Sequence, residues 1–193
     1  MEEAGTRGKD VYDLINEDAA GIAPGSDRLI YLPYLMGERT PHLDPDCRGV
    51  FFGLSAIHTK KHMLRAVMEG VSYSLCDCNE ILKEMGVEVT QMMACGGGGK
   101  SPVWRQMLAD LYQWTGKTVR QDEGPALGVA ILAGVGCGIY PDVETACSRL
   151  ISEKSSTDPV KNNAEVYADY HRLYQHLYGS LKGDFKTLAG LKG

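Results

Sequence analysis

Four consecutive glycines, Gly96-Gly97-Gly98-Gly99, stand between an apolar run ending at Cys95 and the Lys100-Ser101-Pro102 start of an amphipathic segment. Without Cβ atoms such a backbone reaches φ > 0 and comes close to a ligand, while a helix start offers N–H groups and a positive dipole end to an anion. The junction therefore points to a phosphate or nucleotide site. Its tail, Gly99-Lys100-Ser101, imitates a P-loop. That motif requires a glycine five residues before the one preceding Lys, and Ala94 stands there. Four glycines also differ from a loop whose intervening residues shape a nest of N–H groups. A glycine-rich turn without a ligand remains the alternative at this point.

Composition narrows the setting. The 193 residues, 44% hydrophobic and 23% charged, suffice to bury one core as a single globular domain. A net charge of -5 with no basic patch argues against a nucleic-acid partner. Met1-Glu2-Glu3-Ala4-Gly5 is too polar and acidic for a signal or transit peptide, and the weakly polar run Pro125 to Tyr140 is too short and glycine-rich for a bilayer. No membrane association is expected, and the expected location is cytoplasmic. The 6 cysteines lack Cys-x-x-Cys spacing and the 5 histidines lack a His-Glu-x-x-His pattern, so no metal site is expected.

The chain reads as alternating elements: a helix over Val11 to Ala20, a strand over Arg28 to Leu35, a loop holding Gly37, Pro41 and Pro45, and a strand over Gly49 to Leu54. Apolar residues Leu64, Val67, Met68, Val71, Leu75, Cys78, Leu82 and Met85 recur at helical spacing, predicting one long helix from Lys60 to Met85 that ends at Gly86. A strand over Val87 to Cys95 then enters the glycine turn. Ser101 is the expected N-cap of the next helix, with Pro102 at its first position and Trp104, Met107, Leu108 and Leu111 on its apolar face. Lys117 to Gln121 is a further strand. This order predicts an α/β sheet whose ligands gather at the carboxyl ends of its strands.

Gly124-Pro125 opens a helix that retains Gly128 and Gly134. Each interior glycine costs about 1 kcal/mol relative to Ala, so a close contact is expected there, in a tightly packed core helix or at a hinge between lobes. Tyr167, Tyr170, Tyr174, Leu177, Tyr178 and Leu181 form a stripe at helical spacing, expected to dock on the domain and to carry no chemistry.

Gly49-Val50-Phe51-Phe52-Gly53-Leu54, followed after seven residues by His62-Met63 and then Ala66-Val67-Met68-Glu69, resembles the second signature of the FGGY carbohydrate kinases. Three further strings resemble that family in family order: Leu32 to His42, Gly96 to Asp110, and Gly124 to Ala130. Within it, Gly37-Glu38-Arg39-Thr40-Pro41-His42 is most similar to the xylulokinase pattern. The resemblance implies an actin-like, ribonuclease H-like ATPase fold, of which this chain would be the C-terminal lobe. On that basis 1–27 is an N-terminal helical segment, 28–158 the α/β core and 159–193 a docking helix.

The resemblance further implies that the intact enzyme uses ATP and Mg²⁺ to phosphorylate a pentulose, most similar in pattern to D-xylulose kinases, with an aspartate as general base. That aspartate belongs to the missing N-terminal kinase lobe, which would also hold most of the magnesium and sugar contacts, so no catalytic residue is assigned here and the chain alone is expected to be inactive. Asp44 and Asp46 are expected to shape a loop, and Asp110 to be solvated or beside the packing. Nucleotide contact is carried over to Gly96, Gly97, Gly98 and Ser101, and less directly to Gln106. A non-catalytic nucleotide-binding or assembly module, or a kinase for another sugar or polyol, remains the alternative. Without its partner lobe the chain is expected to expose apolar surface that could pair two copies as a homodimer.

Overall fold

A computed structural model describes residues 8–120 and 124–192. Helix α1 (Val11–Ala20) starts where Asp10 accepts the Tyr12 N–H at 2.8 Å, satisfying a donor that the first turn leaves open. A short 3₁₀ turn, Ser26–Arg28, leads into β1 (Ile30–Leu32). This strand pairs antiparallel with β2 (Val50–Phe52), placing Tyr31 opposite Phe51 with ring centroids 4.5 Å apart. Both strands are shorter than the apolar runs that predicted them.

Helix α2 (Lys60–Glu84) follows the predicted periodicity and stops at Gly86, whose φ of +79° is the left-handed value that breaks a helix without Cβ strain. Its middle is tied to the rest of the fold by a buried polar group of residues. Glu69 accepts from Arg65 Nε at 2.7 Å, Gly25 N–H at 3.0 Å and Tyr167 O–H at 3.0 Å, while Arg65 Nη2 donates to the Tyr167 oxygen at 2.5 Å. Next to it, Gly70 lets α2 lie directly on the backbone of β1. A Cβ there would sit 2.1 Å from the Tyr31 carbonyl oxygen.

Beyond α2 the chain forms β3 (Met92–Met93), α3 (Gly96–Lys100), α4 (Pro102–Tyr112) and β4 (Gly116–Val119). Then come α5 (Pro125–Gly136), α6 (Val143–Leu150), β5 (Glu153–Thr157) and α7 (Lys161–Ala189). Strand β4 is central, parallel to β3 and antiparallel to β5. The expected strand from Val87 to Cys95 is reduced to two residues. The Val87 N–H is drawn back to the Leu82 carbonyl at the end of α2, and β3 is an edge with β4 as its single partner strand. The predicted end of the next strand, Gln121, lies outside the described residues.

Three further expectations are corrected. The glycine run is a short helix, not an open turn. Helix α5 is not a packed core helix: Val129 and Leu132 are 67% and 63% exposed, and a Cβ on Gly128 would meet nothing within 4 Å. Gly134 is different, because a Cβ there would approach the Tyr140 ring to 3.0 Å. Asp110 is neither solvated nor peripheral. It is 1% exposed and accepts from Gln106 Nε2, the Val160 N–H and Asn163 Nδ2, joining α4 to the start of α7.

The tyrosine stripe lies at the centre of the main core, together with Ile30, Leu32, Met68 and Met107. Tyr34 and Tyr174 share a 2.6 Å hydrogen bond between hydroxyls, so the polar ends of these large rings are satisfied inside. Asp44 shapes the loop as expected, accepting from the Asp46 N–H at 2.9 Å and from Tyr178 O–H at 3.0 Å. Burial alone would raise its carboxyl, but these donors hold it below the usual carboxylate range. His42 stacks on Tyr178 at 3.5 Å, fixing the Gly37 to His42 string to α7. Leu35, Met36 and Leu43 point outward from the same loop.

Candidate nucleotide site

Helix α3 leaves β3 at its carboxyl end, where the Ala94 N–H adds one more bond to the ladder by donating to the Lys117 carbonyl at 2.8 Å. The four glycines that follow answer to different demands. Gly96 has φ +67°, a left-handed value suited to glycine. Gly99 is forced by packing, since a Cβ would lie 2.5 Å from the Ala94 carbonyl oxygen. Gly97 is required by neither: its φ is not positive, and a Cβ would meet nothing within 4 Å. At Gly98 a Cβ would make only ordinary contact with the Trp104 ring at 3.4 Å. Since each glycine in a helix costs about 1 kcal/mol relative to Ala, two positions weaken the fold without serving it. Gly97 presents bare backbone toward open space, and Gly98 lies against the Trp104 ring.

The flanks hold this weak helix in place. Ser101 is the N-cap of α4 as predicted: its Oγ accepts the Trp104 N–H at 3.1 Å and donates to Asn16 Oδ1 on α1 at 2.7 Å. It is 3% exposed, so its hydroxyl is turned inward. Arg105 Nη1 donates to the Gly99 and Lys100 carbonyls at 2.7 and 3.2 Å, satisfying the carbonyl end of α3. Gln106 also faces inward, with Nε2 donating to Asp110 Oδ1 at 2.7 Å and to the Asp158 carbonyl at 2.9 Å. The structure thus brings Gly96, Gly97 and Gly98 together, with Ser101 buried at the junction that follows them and Gln106 directed away, toward Asp110 and Asp158.

A cavity of about 470 Å³ opens beside the last turn of α3, at the carboxyl ends of β3 and β4. Lys100, Arg105, Arg120 and Lys154 line it with Thr118 and Ser155, and among the described residues no carboxylate lines it. Four cations around one opening favour an anionic ligand. Sequence reasoning placed Lys100 beside the turn but did not find Arg105, Arg120 or Lys154. Arg105 lies in the same string as Gln106, where its charge was a usable signal. Lys154 comes from β5, which no periodicity announced.

The fold is that of the C-terminal lobe of an actin-like ATPase, with a glycine-lined surface beside a cationic cavity. Residues 2–137 match the FGGY family of carbohydrate kinases, C-terminal domain, and the chain belongs to that family. It is 38% identical over 171 residues to a xylulose kinase of Staphylococcus epidermidis, covering 89% of this chain and 34% of the relative. It is 36% identical over 190 residues to a gluconokinase of Bacillus subtilis, covering 98% of this chain and 37% of the relative. Among solved structures, a ligand-bound xylulose kinase from Lactobacillus acidophilus superposes with a TM-score of 0.82 at 29% identity, covering 90% of this chain and 35% of that one. The chain spans about a third of the length of these relatives. Among the described residues no helix is long and apolar enough to cross a membrane.

Proposed function

We propose that this chain is the nucleotide-side lobe of a sugar kinase that transfers the ATP γ-phosphoryl group to a pentulose, D-xylulose being the favoured acceptor. The observation that carries the nucleotide assignment is the pair Gly97 and Gly98, whose missing side chains the fold itself does not require. Backbone at Gly96, Gly97 and Gly98 receives the nucleoside side of ATP. Ser101 acts as a positioning residue, tying the junction of α3 and α4 to α1, while Gln106 links α4 to the Asp158 carbonyl ahead of α7. The cationic cavity at Lys100, Arg105, Arg120 and Lys154 draws the phosphates toward the lobe.

Magnesium does not fit this donor set, which is cationic and holds no carboxylate oxygen among the described lining residues. Its ligands would be the ATP phosphates and groups of the partner lobe. The general base is likewise assigned to the N-terminal lobe, because Asp44 and Asp110 are consumed in structural hydrogen bonds. Closing the two lobes would exclude water, directing the phosphoryl group to the sugar. The exposed Met36 and Leu43 of the loop, and Val129 and Leu132 of α5, are surfaces for that partner lobe to cover.

The test of the nucleotide site is a pair of substitutions at one position. Gly97→Ala is expected to stabilise the isolated chain by roughly 1 kcal/mol in urea unfolding, because Ala is the better helix former and meets nothing. Gly97→Val, in the chain joined to an N-terminal kinase lobe, is expected to weaken ATP binding about ten-fold in calorimetry, equivalent to about 1.4 kcal/mol. Unchanged ATP affinity in the Val variant sinks the assignment.

The sugar is tested by coupled assay. The isolated chain is expected to phosphorylate neither sugar, and the two-lobe protein to prefer D-xylulose to gluconate. Gluconate is the second reading, favoured by the gluconokinase match over 98% of the chain. Turnover by the isolated chain would place the base inside it and overturn the division of labour between lobes.

A further inference from the structure

Helices α2 and α7 bring together a second group of side chains that the nucleotide site does not use. Cys76 and Glu80, one helical turn apart on α2, face His171 of α7, and one ligand atom from each lies within 4.8 Å of the others. The His171 ring is oriented by a carboxylate. Its Nε2 lies 2.7 Å from Asp77 Oδ1, which makes Nε2–H the donor and turns Nδ1 toward Glu80 Oε1, 3.9 Å away. A histidine whose far nitrogen donates to a carboxylate is the usual arrangement behind a metal-bound imidazole.

Independent observations point the same way. Asp77 is 6% exposed, and although its Oδ1 accepts from His171 and from Gln175 Nε2, its Oδ2 has no partner. Asp77 and Glu80 line a cavity of about 220 Å³ with His42, Glu84 and Gln175, and His42 Nε2 also has no partner. Such buried polar atoms are rarely left unpaired without an ion or water to meet them. Gln175 Nε2 spans the group, donating to Asp77 Oδ1 at 2.7 Å and Glu80 Oε2 at 2.8 Å.

We propose that Cys76 Sγ, a Glu80 carboxylate oxygen and His171 Nδ1 form a divalent-cation site for Zn²⁺ or Co²⁺, with a water as fourth ligand and Asp77 as the group that orients the imidazole. Sulfur, nitrogen and oxygen donors in one tetrahedral set suit zinc and its cobalt substitute better than magnesium or calcium. Bond lengths of about 2.0–2.3 Å place tetrahedral ligands roughly 3.5 Å apart, so atoms now within 4.8 Å of one another close by up to about 1.3 Å. Burial pushes the Cys76 thiol up to about 12, so the ion displaces a tightly held proton as it binds. The site pins α2 to α7 through side chains on both helices. Sequence reading expected no metal from the lack of Cys-x-x-Cys and His-Glu-x-x-His patterns, and a set divided between one turn of α2 and a residue far along the chain matches neither.

The test uses the tag-free chain stripped of metal and titrated with Co²⁺. One equivalent is expected to bind with a thiolate-to-cobalt charge-transfer absorption, to be displaced by Zn²⁺, and to raise the thermal midpoint. Cys76→Ser should remove the absorption. Glu80→Gln, at a half-exposed position that leaves the core untouched, should weaken Co²⁺ binding about ten-fold or more. Absence of stoichiometric binding overturns the proposal, leaving His171 as a structural imidazole hydrogen-bonded to Asp77. Binding that is equal in the wild type and in Glu80→Gln also overturns it.

Discussion

Replacing Glu69 by Ala is expected to lower the unfolding free energy by about 3–5 kcal/mol, because it strands a buried guanidinium. Glu69 is 1% exposed and Arg65 is 7% exposed, so water has little access to either. Removing the carboxylate deletes the acceptor for Arg65 Nε, Gly25 N–H and Tyr167 O–H together. Arg65 shares α2 with Glu69, whereas Gly25 precedes β1 and Tyr167 lies on α7, so one substitution loosens two contacts between elements and strands one cation within α2. Urea unfolding of the two proteins measures the difference. A loss below about 1 kcal/mol would mean that water or another acceptor reaches Arg65, and the network would not be the tie described here.

Gly70→Ala, one position along, is expected to fail for a different reason. In most helices this exchange stabilises by about 1 kcal/mol. Here the new methyl carbon would stand 2.1 Å from the Tyr31 carbonyl oxygen and 3.0 Å from its carbonyl carbon. Both are backbone atoms of a paired strand, which no rotamer change moves aside. Helix α2 must shift away from β1, with an expected cost of about 3 kcal/mol or more. For a chain of this size that lowers the melting temperature by roughly 6–12 °C. Calorimetry on the purified variant reads the effect directly, and an unchanged or higher melting temperature would show that α2 and β1 do not approach as closely as this. The pair Gly70→Ala and Gly97→Ala makes the contrast informative, since the same exchange carries opposite expected signs in two helices of one chain.

What the sequence made legible follows from how local each signal is. The 3.6-residue spacing in α2 depends on neighbours along one helix, and its limits appear where the pattern put them. Ser101-Pro102 is likewise a local device, and its cap is present with the predicted donor. Strand β3 was over-read because strand length depends on a partner, and β4 offers only a short one to that edge. The fate of Asp110 was hidden for the same reason: its donors Val160 and Asn163 are about fifty positions away in the chain. The glycine run was read as a candidate ligand surface, but the different demands on its members required coordinates. Gly99 serves packing against Ala94, Gly96 serves conformation, and Gly97 answers to neither. No spacing rule separates those three cases.

The bond from Ser101 to Asn16 gives α1 a share in the site that α1 does not touch. Four glycines lose more backbone freedom on ordering than any other four residues, so α3 has little tendency to hold its own shape. Its order is borrowed from the Arg105 clamp at one end and from the Ser101 junction braced on α1. The glycine surface is therefore braced by a segment some eighty positions earlier in the chain. Variation in α1 can tune how well the glycines are presented while leaving the glycines themselves unchanged.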